Sequence, residues 1–247
     1  MKAPWLVPLL LALTACASSP PANTGDICSV FEDRRNWFEA AKRSEERWGV
    51  PIPVTMAFIR HESGFRSRAR PPRTRILWLI PGPRPSNAFG YAQALEGTWR
   101  DYERATGQSA SRSNFADAVD FIGWYNNMSY RMNNIDRGDA FHLYLAYYEG
   151  NTGFARRSYE GKQWLIDVAS KVQANTNLYE RQYAGCEREL SRSWYERLFS
   201  FNLAPRDMSS PRHVEPVAWF DSRISGNDAD ADGREFQRRF SGQKEGA

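Results

Sequence analysis

The chain has 247 residues, with 33 Lys and Arg against 29 Asp and Glu and a net charge of +4. That length suffices for one well-cored domain plus extensions, and the mild basic excess is a solvated surface with weak attraction to anionic polymers or lipids. No Lys/Arg run is dense enough to argue for nucleic acid, and the sequence has three histidines, no HExxH and no cysteine cluster, which leaves a zinc peptidase or other metal centre unsupported.

Taken in order, Lys2 supplies a positive start and Trp5 to Ala12 an apolar stretch too short to span a bilayer. It runs into Leu13-Thr14-Ala15-Cys16, which resembles the lipobox of a bacterial lipoprotein. The resemblance implies a signal peptide over residues 1–15, cleavage before Cys16 and acylation of that cysteine, with an ordinary cleaved signal as the other reading. Ala17 stands where an Asp often retains such lipoproteins in the inner membrane, so a periplasm-facing position on the outer membrane is implied. Ala17 to Asp26 is a polar Pro/Ser/Gly stretch, and residues 16–27 are expected to tether the anchor to the body. Lipidation of Cys16 leaves Cys28 and Cys186, expected to form a disulfide in an oxidising compartment or otherwise to stay as two thiols.

The body, residues 28–186, is expected to be mainly α. Trp37, Ala41, Ser44 and Trp48 share one helical face, with Gly49 as the stop; Pro51 and Pro53 punctuate, and Val54 to Ser63 reads as a second helix ended by Gly64. Arg66 to Ser86 is a long Pro/Arg-rich loop with an apolar run from Ile76 to Ile80, and loops of that length tend to be functional. Helical patterns resume near Glu96–Thr106, Phe115–Asn133, Asp139–Tyr148 and Trp164–Tyr183, the last with Leu165, Val168, Val172, Tyr179 and Tyr183 as its stripe. No strand pattern stands out. Beyond Cys186, residues 187–247 are read as an extension with one short amphipathic helix around Trp194–Phe201 and a largely disordered remainder.

The chemistry points to a carboxylate mechanism, since no G-x-S-x-G elbow occurs and the cysteines are accounted for. Glu62 follows Phe58 and Ile59 by about one turn, which places it on an apolar face where desolvation should raise its pKa. A protonated carboxyl near neutral pH is what glycosidic cleavage asks of its general acid. Spacing alone leaves open the plainer possibility of a surface glutamate at a helix end.

Three segments narrow it. Glu62-Ser63-Gly64-Phe65 resembles the E-S-x-F signature of lysozyme-like lytic transglycosylases of the SLT type, relatives of goose-type lysozyme. Gly90-Tyr91-Ala92-Gln93 is similar to their G-L-M-Q motif, with Ser86 matching a small residue just upstream, and Leu145 to Gly150 resembles L-A-x-Y-N-A-G. The resemblance covers approximately Trp48 to Tyr183. It implies a helical lysozyme-like fold with a sugar-binding cleft, needing no cofactor, and peptidoglycan as the partner. Glu62 would protonate the oxygen between N-acetylmuramic acid and N-acetylglucosamine, then act as base toward the C6 hydroxyl to give a 1,6-anhydro end. Ser63 matches a position close to the acid, Gln93 one lining the cleft, and Gly90 a place where backbone approaches sugar. Tyr147 matches the tyrosine whose hydroxyl reaches the acid, unless it is a core aromatic.

The departures have consequences of their own. Tyr91 and Ala92 replace Leu and Met, which suggests a reshaped cleft wall. Tyr148 and Glu149 replace Asn and Ala. Glu149 facing Glu62 would make water-dependent, muramidase-type hydrolysis conceivable, although exposure is expected, and a peptidoglycan-binding lipoprotein without activity is a further alternative. Asp117 and Asp120 read as structural. The Arg66–Ser86 loop is expected to form one lip of the groove, with Trp78 either stacking on sugar or packing on the domain. In the tail, Asp228 to Gly233 opens like a calcium loop, but Arg239 stands at its twelfth position, so a solvated acidic stretch is the better reading.

Overall fold

The computed structural model describes residues 19–76 and 80–192. Among them the chain is mainly α: α1 (Ile27–Asp33), α2 (Arg35–Trp48), α3 (Ile52–Ser63), a small hairpin of β1 (Arg75–Ile76) and β2 (Ile80–Pro81), then α4 (Glu96–Thr106), α5 (Phe115–Asn133), α6 (Ala140–Glu149), α7 (Asn151–Ala155) and α8 (Gln163–Ser191). No described helix is long and apolar enough to cross a membrane.

At the centre lies α3. Ile52 to Ile59 are all buried, so two turns of this helix have no wet face, as befits a helix apolar all round. Prolines in its first turn preset the backbone there, and Glu45 of α2 accepts the Ile52 amide at 3.0 Å, satisfying an N–H that the helix itself leaves orphaned. It packs against α8, α5 and α2. At Gly64 (φ 57°) the chain turns into the left-handed region and the helix stops, as Gly49 (φ 71°) stops α2.

The α2–α5 contact is close because Gly123 has no side chain: a Cβ there would lie 2.6 Å from the Ser44 hydroxyl and 2.7 Å from Trp48. Ser44 Oγ donates to the Val119 carbonyl at 2.9 Å. Asp120 accepts from Arg47 (3.0 Å), Trp48 Nε1 (2.8 Å) and the Tyr102 hydroxyl (2.7 Å), tying α2, α4 and α5 through one carboxylate. Asp117 accepts the Ser111 amide at 2.8 Å. Both aspartates are structural in this arrangement.

Cys28 and Cys186 are joined, their Cα atoms 6.1 Å apart across 158 residues of sequence, and the bond clips α1 to α8. The stretch expected as a free tether is in part docked. Tyr179 donates to the Thr24 carbonyl at 2.5 Å, and Gln182 both donates to Gly25 (3.2 Å) and accepts from Ile27 (3.1 Å). Two further differences from the sequence reading are the hairpin, whose paired segments are too short to show a period, and α8, which continues past Cys186 to bury Leu190.

The disulfide constrains the unfolded chain across nearly the whole domain. Replacing Cys28 and Cys186 together by alanine should lower the unfolding free energy by roughly 2–5 kcal/mol, read from urea unfolding of the oxidised protein and the variant.

Candidate active site

Only the last turn of α3 leaves the core, where Arg60 and Glu62 are half-buried and His61 is exposed. That turn is held from both sides. Ser63 is 1% exposed and its hydroxyl donates to the Ile59 carbonyl at 3.1 Å, while Arg66 Nε donates to the Ser63 carbonyl at 2.8 Å. Phe65 has φ 61° and is fully buried against Trp37, ring centres 5.9 Å apart. A left-handed non-glycine residue costs about 1–2 kcal/mol, and burying a phenyl ring contributes about 1.5–3 kcal/mol. Burial wins, and the Gly64–Phe65 turn fixes where Glu62 emerges.

Beside Glu62 stands a wall of phenols from α6. The Tyr144 hydroxyl hydrogen-bonds the Glu62 carboxyl group; burial first, and the Glu62 charge next, hold this phenol far above its ordinary pKa, so it stays a donor. Tyr147 is raised for the same two reasons. Its hydroxyl, however, donates to the Ala92 carbonyl at 2.6 Å. Phe58 meets both rings edge-on at 5.4 Å, which fixes them against α3. Although the residue as a whole is exposed, the His61 ring meets Tyr144 edge-on at 5.2 Å, and its pKa is lowered by desolvation of the ring and then by the Lys171 cation, which favours a neutral imidazole.

The Gly90–Gln93 segment forms the facing turn. Gly90 has φ 81°, and a Cβ there would fall 1.9 Å from the Arg112 carbonyl oxygen, so only glycine fits. Tyr91 and Ala92 are 2% and 1% exposed, with Tyr91 edge-on to Trp37 and Phe115 at 5.6 and 5.5 Å. The exchange of Leu and Met for these residues therefore refills the core and does not reshape a cleft wall. Gln93 (φ 46°) spends both amide hydrogens on carbonyls, Ala69 at 3.0 Å and Gly90 at 2.8 Å, so the polar atom left for a ligand is an acceptor. Ser86 is half-buried and its Oγ accepts the Ala88 amide at 3.4 Å, shaping the approach to this turn.

Glu149 is not the exposed residue expected. Its side chain is 6% exposed, and Lys162 Nζ lies 2.8 and 2.9 Å from its two oxygens, with the Ser158 hydroxyl as a further donor. The correction has a simple cause: α7, a five-residue helix too short to show a period, folds the 150–162 segment back over it. Cys16, Trp78, the Trp194–Phe201 stretch and the Asp228–Gly233 stretch lie outside the described residues. Among the described residues, no cluster of three metal-ligating side chains occurs.

The half-buried Glu62 turn, the glycine-dependent turn at Gly90 and the phenols of α6 follow the order of the three motifs, and the family model described as Transglycosylase SLT domain matches residues 5–186. The chain belongs to the transglycosylase SLT family. No curated protein matches it significantly. As an SLT-domain protein it is a lysozyme-like, mainly helical lytic transglycosylase of peptidoglycan, a periplasmic cell-wall enzyme.

Within the SLT domain, the geometry adds residues that motif matching did not reach. Tyr144 lies one turn before Tyr147 and shares its helix face, a spacing that could have flagged it. Tyr148 and Trp164, 39% and 52% exposed, meet edge-on at 5.1 Å, and the Glu62 charge is felt at Tyr148. No sequence period marks that pair, because one residue ends α6 and the other begins α8. The sharpest steric requirement is at Gly90: Gly90→Ala should cost roughly 2–5 kcal/mol of stability from left-handed strain plus the clash with Arg112, measured by thermal and denaturant unfolding.

Proposed function

We propose that the SLT domain breaks the bond between N-acetylmuramic acid and N-acetylglucosamine with Glu62 as its one acid/base, leaving a 1,6-anhydromuramoyl end. Glu62 gives its proton to the bridging oxygen as the C1–O bond breaks. The C6 hydroxyl oxygen then closes on C1 and returns its proton to the Glu62 carboxylate, so no water is consumed. The observation that carries this reading is the unlike treatment of two glutamates. Glu62 sits half-buried on the one turn of α3 that reaches the surface, with a phenol donor from Tyr144, whereas Glu149 is closed off by Lys162 and Ser158 and is in no position to activate water.

In this reading Gly90 lets the backbone approach the sugar, Gln93 offers it an acceptor, and Ser86 shapes the entrance. Ser63 and Tyr147 are positioning residues, one seating the acid turn and the other fastening α6 to the Ala92 carbonyl. The exposed Tyr148–Trp164 pair supplies an apolar face for a pyranose ring. The reaction needs no cofactor. Acylation at Cys16 would hold the enzyme on the periplasmic face of the outer membrane, beside its polymer.

Glu62→Gln removes the transferable proton and should lower strand cleavage by about a hundred- to ten-thousand-fold. Run in oxygen-18 water, wild-type digestion of sacculi should give anhydro products without label by mass spectrometry; labelled reducing ends would select hydrolysis and overturn the reading. Cys16→Ala should move the protein from the membrane fraction to the soluble fraction on centrifugation, and continued sedimentation with membranes would remove the anchor from the proposal.

A further inference from the structure

Between Glu62 and Glu96 the chain carries Arg66, Arg68, Arg70, Arg73, Arg75 and Arg84 and no Asp or Glu. A basic surface segment of this kind is ordinarily laced with carboxylates, as elsewhere in this domain, where Arg47 meets Asp120 at 3.0 Å and Arg100 meets Glu96 at 3.1 Å. Among the described residues, none of Arg66, Arg68, Arg70, Arg73 and Arg84 is in an ion pair. Arg68, Arg70 and Arg73 are exposed.

The segment is fastened to the site. The Ala69 carbonyl accepts from both the Gly90 amide and the Gln93 side chain at 3.0 Å, and Arg66 is bonded to the Ser63 carbonyl beside Glu62. Further out, Thr74 donates through its amide (3.1 Å) and hydroxyl (2.9 Å) to Pro83, and Arg84 donates to the Pro71 carbonyl, which draws Arg73 and Arg84 to one edge. Arg70 and Arg112 both lie over Phe89, at 4.6 and 5.4 Å, so two cations share one ring. Glu96 and Glu103 offset part of the charge at Arg112. Among the described residues, Arg68, Arg70 and Arg73 make no ion pair, and the repulsion among them is relieved when an anion arrives.

We propose that this arginine lip, centred on Arg68, Arg70 and Arg73, binds the carboxylates of the peptide stems that project from the glycan strand. This rests on the strand-cleaving reading of the site. The glycan backbone of a stem-bearing strand is neutral, and its anionic groups lie on the stems. Guanidinium forks match carboxylates in a bidentate way that lysines would not, and every cation in the lip is an arginine. A bilayer surface would also attract cations. The hydrogen bonds donated by Gly90 and Gln93 to the Ala69 carbonyl and by Arg66 to the Ser63 carbonyl favour the strand, because they tie the lip to the Glu62 and Gly90 turns.

The test compares glycan strands with intact stems against the same strands after their stem carboxylates are converted to methylamides. The full chain should prefer the intact strands by about tenfold in kcat/KM, chiefly through KM. In the triple variant Arg68→Gln, Arg70→Gln, Arg73→Gln the ratio should fall toward one, while Arg181→Gln, an exposed arginine on α8, should keep it. Co-sedimentation with the two kinds of strand gives the same ratio as binding and does not depend on turnover, so failure of the catalytic reading is seen separately. No preference in the wild type, or an unchanged ratio in the triple variant, overturns the proposal. So does a triple variant that keeps the ratio but loses binding to phosphatidylglycerol-containing vesicles, which would assign the lip to a lipid surface.

Discussion

The burial of the first two turns of α3 is the constraint on which the site depends. A helix with Ile52 to Ile59 all in the core cannot rotate or slide without exposing apolar surface, at a cost of about 1.5–3 kcal/mol for each large side chain. Its last turn therefore has a fixed position before any polar contact is made. The Gly64–Phe65 turn then sends the chain back into the core, so a single turn reaches the surface and Glu62 lies on it. The stability of the domain and the placement of its acid share one cause.

The polar contacts around that turn follow a division of labour. Residues of the three motifs mostly bond to backbone: Ser63 to Ile59, Gln93 to Ala69 and Gly90, Tyr147 to Ala92. Each links two segments distant in sequence or closes a turn, and none uses its donor on the carboxylate. The side chain that does so is Tyr144, which no motif contains. Motif residues here build the walls, and a neighbour on the same helix face meets the acid.

This explains what could be read from the sequence and what could not. Helix ends at Gly49 and Gly64 and the stripes of α2 and α8 were legible because one local rule, a left-handed stop or a period of 3.6, decides each. The place of Glu62 at the half-buried end of α3 was legible because Gly64 stops the helix just beyond it. The burial of Glu149 was not, because it depends on α7 and Lys162 folding back over it, a tertiary event with no periodic signature. Tyr91 misled for a related reason. A substitution inside a cleft motif suggests a change of cleft, but the residue points inward to Trp37 and Phe115.

The two phenols of α6 also differ in where they place their protons. An ionised carboxylate only accepts hydrogen bonds. Tyr147 has its one proton on the Ala92 carbonyl and feels Glu62 through its charge. Tyr144 has its proton on Glu62, suited to the ionised state. Because burial and the neighbouring negative charge raise both phenols, both stay protonated beside Glu62. One turn of helix thus sets two buried phenols beside the same carboxyl group, one donating to it and the other fastened to backbone.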